Sequence, residues 1–489
     1  MGRIRTTLRQ PHLWASATLL AISLMILGWA QTYPIGHSPI EVPVLEQVSP
    51  LFWLGLAAGF PALGGLVLTS ASPYVHWIAS SLFPLFLSAP QFLYLSWGSD
   101  AGALADLLQY ARTVGPLDMS QHVALHSYFQ WPASILFHSF LVDALGVTGY
   151  GAIHVVFFFL ALSIGGALFI LWLGNPPAGP QSTGAVFWGI VLYFAGFYWL
   201  LNWQAVPYVF ALALFFPLLA LMGRRTVQDK ILFRLFFLVG IESHALFGVW
   251  STAIVAMLCV LGAAARRPRP TLSLLLLLAV AQASVIIYKN TRFFKYTVRS
   301  LQGTYQALLE VGASDRALAR QVETALSPLS NEPASAILKA LSWCDLAFVV
   351  TAFAISTLFV IRTRRLRRRE IALLGAGSLH FLLGTVLAAI GTRSLQLVGM
   401  VPAFFVVDGL AYGGRAVRKA LLLSSVISLM LFPAAVIRSH QISGNFVKPS
   451  NLVVKEYLDK HSRHLSGAVV ILDEGRIHTD DLTGERVLG

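Results

Sequence analysis

Long apolar runs, broken by a few charged or turn-forming residues, recur along almost the whole chain. They fall at 13–30, 51–69, 74–96, 148–172, 184–202, 204–222, 231–242, 244–262, 271–288, 345–362, 371–391, 395–413 and 420–437. Most hold about 18 residues or more, the length an α-helix needs to cross a hydrocarbon core about 30 Å thick. The pattern predicts an all-α polytopic membrane protein with about 13 transmembrane helices. Two runs do not fit so simply. The segment 133–147 (ASILFHSFLVDALGV) is also apolar, and hydropathy alone would count it as a span, while 231–242 is only about 12 residues, too few to cross unless broken or partial.

Charge decides the first case. Five short segments are almost purely basic: Arg3, Arg5 and Arg9; Arg224, Arg225, Lys230 and Arg234; Arg266, Arg267 and Arg269; Arg362 to Arg369; and Arg415, Arg418 and Lys419. Short basic loops stay cytoplasmic during insertion, so these five mark the inner face. If 133–147 spanned, the Arg224 turn would fall outside. Read as a re-entrant or interfacial helix, it leaves all five clusters inside, with a cytoplasmic N-terminus and an extracytoplasmic C-terminus. The short run 231–242 then enters from the cytoplasm, turns near Glu242 and His244, and returns, which places a cavity near the outer leaflet.

The chain divides accordingly. Membrane spans occupy 1–96, and an external loop with a re-entrant helix occupies 97–147. A central bundle follows at 148–288, an external helical loop at 289–344, further spans at 345–437, and a small external tail at 438–489.

Composition agrees. Of 489 residues 56% are hydrophobic and 12% charged, against about 25% charged in soluble domains. That excludes an ordinary cytosolic enzyme, a disordered chain and a disulfide scaffold. The net charge of +13 is a topology signal, and nucleic-acid binding is not expected. Cys259 lies within an apolar run and Cys344 beside one, which argues against a disulfide.

The external stretch Ser96–Ser134 is the richest in chemistry. Ser99 and Asp100 precede a predicted helix, Ala101–Val114, that ends at Gly115-Pro116. Asp100 fits two roles that are compatible: a cap for that helix, and a carboxylate held at the membrane surface to accept a proton from a hydroxyl. Asp118, His122 and His126 recur every fourth residue, a loose match to a metal set that Mg or Mn would fill. Glu242 and His244 are ionisable groups at a turn within the membrane, either a pin for the break or part of a site. Arg393 lies between the runs 371–391 and 395–413, suited to phosphate oxygens or to lipid headgroups. Arg292, Lys295 and Arg299 form a second external patch. His380 and Asp408 read as packing and capping residues, and Pro207 and Pro217 are expected to kink a helix.

The order of these pieces resembles one family. A lone Asp after an early span, a short helix ending in Gly, Tyr128-Phe129-Gln130-Trp131-Pro132, an apolar helix and Gly146-Val147-Thr148-Gly149 are similar to the first large external loop of the GT-C glycosyltransferases. GIESHALFGVWS (Gly240–Ser251) resembles that family's Ser-His turn, and TRSLQLVGMVPAFFVVDGLA (Thr392–Ala411) its late Arg and Pro-containing helix. Paired acids are absent, since Ala101 follows Asp100, and so is a WWDYG motif. Both set the chain apart from the protein mannosyltransferase and oligosaccharyltransferase branches.

The resemblance implies a GT-C-like fold in a cell membrane. It also implies a sugar donor on a polyprenyl or dolichyl phosphate and a protein, lipid or glycan acceptor on the external face. Asp100 would be the catalytic residue. Arg393, His122, His126, Tyr128, Trp131, Glu242, His244, Arg292 and Lys295 would contact substrate. A transporter or flippase of a lipid-linked sugar, and a surface polysaccharide polymerase or ligase, fit the same features.

Overall fold

The computed structural model describes residues 10–35, 44–94, 96–97, 132–173, 180–197, 207–222, 226–264, 272–284, 336–386, 391–442 and 446–447, with Leu104, Ala105 and Leu108. They form an all-helical bundle. Its helices are α1 (Pro11–Thr32), α2 (Pro50–Thr69), α3 (Pro73–Ser88), α4 (Pro132–Leu145), α5 (Gly149–Leu173), α6 (Pro180–Phe197) and α7 (Pro207–Leu221). Then come α8 (Val227–Ile241), α9 (Ala245–Ala264), α10 (Leu272–Ser284), α11 (Ala336–Thr363), α12 (Arg368–Val386), α13 (Gly391–Tyr412) and α14 (Arg415–Ile442). The one extended pairing among the described residues joins β1 (Ser96–Trp97) to β2 (Phe446–Val447), antiparallel.

Six helical segments among the described residues are long and apolar enough to cross a membrane by length and composition: Pro11–Thr32, Pro50–Thr69, Gly149–Leu173, Ala336–Thr363, Leu395–Tyr412 and Arg415–Arg438. Shorter apolar helices accompany them, including Ala133–Leu145 and Pro207–Leu221. At about 1.5 Å per residue, the 14 residues of α4 reach about 21 Å, short of a full crossing.

Sequence boundaries shift where polar residues continue a helix or proline starts one. The run 231–242 becomes α8 from Val227, because Thr226 caps it by accepting the Asp229 N–H at 3.1 Å. The run 345–362 belongs to a helix that begins at Ala336. The run 74–96 stays helical only to Ser88, beyond which Ala89–Leu93 tightens into a 3₁₀ turn. Pro207 is the first residue of α7, where its missing N–H costs nothing, and does not kink that helix; only Pro217 lies inside it. Arg393 sits in the first turn of α13 instead of between two helices.

The core is aromatic. Phe60, Phe83, Phe86, Phe187, Phe194 and Trp172 are fully buried, and Phe432 of α14 meets Phe60 at 6.0 Å and Phe83 at 6.1 Å. Of the run Phe157–Phe159, the first faces this core and the other two are exposed. Cys259 and Cys344 are free thiols on α9 and α11.

Candidate functional site

The bundle has two polar ends. One carries the basic run between α11 and α12. There the Arg367 guanidinium donates to the Asp408 carboxylate at 2.6 Å, and the Arg367 N–H donates to Glu370 at 2.8 Å. Arg365 lies 3.8 Å over the Tyr412 ring, and Arg369 donates to the Leu219 carbonyl. Both carboxylates are buried, Glu370 to 1% and Asp408 to 2% exposure. Burial pushes the Glu370 carboxyl up to about 7 despite its contacts with Arg367. Asp408 thus has a structural partner, in line with its reading as a packing residue.

At the opposite end the chain turns from α8 into α9. Ser243 closes α8 by donating its hydroxyl to the Val239 carbonyl at 2.6 Å. His244 opens α9: its Nδ1 accepts the Leu246 N–H at 3.2 Å, the geometry of an N-cap. Gly240 is required here, because the Phe247 ring lies where its Cβ would be. The turn predicted at Glu242 and His244 is therefore present.

Three further elements meet that turn. The Ala133 N–H, at the start of α4, donates to the Glu242 carbonyl at 3.3 Å. Tyr208, one residue into α7, places its ring 5.4 Å from His244 and donates its hydroxyl to Gln396 Oε1 of α13. Trp250 of α9 packs edge-on to Tyr208 at 6.2 Å and donates its indole N–H to His380 Nδ1 of α12 at 2.9 Å. His380, read from the sequence as a packing residue, accepts this bond. Gln396 stands three residues after Arg393, so this contact holds the start of α13 against the cluster.

The loop before α4 also touches this end. Leu104, Ala105 and Leu108 of the predicted helix Ala101–Val114 are helical and buried. The Ala105 carbonyl comes so near Gly149 that a Cβ there would lie 2.6 Å from it. Gly146, at φ +64°, ends α4, and Thr148 Oγ1 accepts the Gly151 N–H at 3.1 Å. The Gly146–Gly149 motif is thus a joint between two helices as well as a landing place for the loop helix.

Asp100, Asp118, His122, His126, Tyr128, Trp131, Arg292 and Lys295 lie outside the described residues, and of Arg393 the backbone alone is described. Among the described residues no group of three or more His, Cys, Asp or Glu side chains is placed to hold a metal. Sequence reasoning found Glu242 and His244 but not Tyr208, Gln396 or Trp250, whose roles depend on partners far along the chain.

Fold and site together define a polytopic helical protein of membrane type, with a polar cluster where several helix ends converge. No protein-family model, curated protein or solved structure matches the chain.

Proposed function

We propose that this protein is an integral-membrane glycosyltransferase of GT-C type that moves a sugar from a polyprenyl-phosphate carrier to an acceptor on the extracytoplasmic face. One observation supports it above the rest. The three stretches that carry the sequence resemblance meet at one end of the bundle: α4, which follows Tyr128–Trp131, touches Glu242, and Tyr208 links His244 to the helix bearing Arg393. In this reading about 13 helices cross the membrane, α4 is the re-entrant one, and the basic end faces the cytoplasm.

The chemistry is a single displacement. The acceptor hydroxyl oxygen forms a bond to the anomeric carbon as the bond from that carbon to the lipid phosphate breaks. Asp100 takes the hydroxyl proton, and the configuration inverts. Arg393, with Arg292 or Lys295, offsets the charge on the departing phosphate. Tyr128 and Trp131 pack against sugar or polyprenyl chain, and His122 and His126 contact the acceptor.

Purified full-length protein in nanodiscs, given radiolabelled polyprenyl-phosphate sugars and a membrane extract, should release lipid phosphate and label a new product. Asp100→Ala should lower that turnover on the order of a hundredfold or more. Full activity in the variant would leave Asp100 as a helix cap. Donor binding without conversion would favour a flippase, and a ladder of product lengths a polymerase. Turnover before and after chelation reads whether Mg or Mn serves Asp118, His122 and His126.

A further inference from the structure

Ser134 and His138 stand one turn apart on α4, and both are fully buried at 0% exposure. The His138 Nδ1–H donates to the Ser134 carbonyl at 2.6 Å. That bond fixes the tautomer and leaves Nε2 as a lone-pair acceptor. Among the described residues neither His138 Nε2 nor Ser134 Oγ has a hydrogen-bond partner. His76, on α3, shows the contrast: its Nδ1 meets Thr183 Oγ1 at 2.7 Å and its Nε2 the Ser70 carbonyl at 3.0 Å.

A buried polar group left unsatisfied is costly, because it has given up water and gained no partner. Two on one short helix face need an explanation. The helix turns its apolar face outward, as a membrane helix does. It exposes Leu136 (66%), Phe140 (64%), Phe137 and Leu145, while Ser134 and His138 share the buried stripe with Ile135 and Val142. That stripe faces α5 and α7, the helices against which α4 packs. Its first turn is hydrogen-bonded to Glu242 through Ala133, so the pair belongs beside the candidate site.

We propose that Ser134 and His138 form a hydroxyl-binding subsite for the sugar of a lipid-linked donor, with His138 Nε2 accepting from one hydroxyl and Ser134 Oγ bonding its neighbour. The inference takes its ligand from the proposed function and rests on that reading. Gly146, left-handed at φ +64° and with no described atom within 4 Å of where its Cβ would lie, ends α4, and in this proposal a shift of α4 about it admits the sugar.

The test uses the full chain in nanodiscs with two probes: farnesyl phosphate carrying mannose or glucose, and sugar-free farnesyl phosphate. His138→Phe should weaken binding of the sugar-bearing probe about tenfold or more, the loss of one hydrogen bond to a buried group. It should leave the sugar-free probe unchanged and raise the thermal midpoint, because an unsatisfied nitrogen is gone. A deoxy sugar lacking the contacted hydroxyl should bind wild type and His138→Phe alike. Ser134→Ala, the milder change, carries the same comparison if His138→Phe does not fold. Unchanged binding of the sugar-bearing probe overturns the subsite, as does equal loss of both probes or a wild type indifferent to the sugar. His138-dependent binding without turnover keeps the subsite and sinks the transferase. Turnover untouched by either variant does the reverse.

Discussion

At His244 one imidazole holds a helix end, and substitutions can separate that task from chemistry. Asn caps helices as well as any residue, so His244→Asn should keep the thermal midpoint near wild type. His244→Ala should lose about 0.5–2 kcal/mol of stability. If the ring also contacts substrate, both variants lose turnover alike, whereas a purely structural ring predicts full activity for Asn. Trp250 gives a second reading at this scale. Trp250→Phe removes the donor that His380 Nδ1 accepts at 2.9 Å and should cost about 1–3 kcal/mol in thermal unfolding. Glu242 and His244 were legible in the sequence because ionisable groups inside apolar runs stand out. Tyr208 and Gln396 were not, since each is unremarkable alone and acquires its role from a partner 188 residues away.

Helix pairs show what periodicity hides. In α1 and α2 the backbones approach closely through small residues, and a Cβ on Gly55 would lie 2.6 Å from the Ala21 carbonyl oxygen. That neighbour is backbone and cannot rotate aside, so Gly55→Ala should force the helices apart and cost about 1–3 kcal/mol, read as a lowered unfolding temperature. At the start of α12 the prediction concerns pH. The Glu370 carboxyl is raised from its usual 4.5 to about 7, so the fold favours its protonated form. Its contribution is fullest below about 4.5 and is lost as pH climbs through about 7. Glu370→Gln should flatten this part of the stability profile, and an unchanged slope would place it elsewhere. Apolar runs located these helices well but set their ends poorly. Thr226 carries α8 into polar sequence by a cap, and Pro90 follows the end of α3 within what reads as one apolar run.

For the whole molecule, the basic clusters were the most legible feature, because positive charge is read by position alone. The described contacts show one of them, the run Arg362–Arg369: its Arg365, Arg367 and Arg369 reach Tyr412, Asp408 and Leu219 at the end away from the Glu242 turn. Long-range closure was not legible. Ser96 pairs with Val447, Leu429 of α14 packs over Gly64 of α2, and Phe432 of α14 packs against both Phe60 and Phe83.

That closure has a consequence in time. A ribosome adds about 5–20 residues per second, so tens of seconds separate the emergence of α3 from that of α14. Through that interval the first helices sit in the bilayer with a face shaped for a neighbour that has not been made. Something else must shield it, whether acyl chains or the insertion machinery. Chains stopped at Gly414 should therefore integrate into membranes yet stay open to added protease between α2 and α3, while full-length chains become resistant only after release. Equal resistance in both would mean that the early helices mature without their last partner.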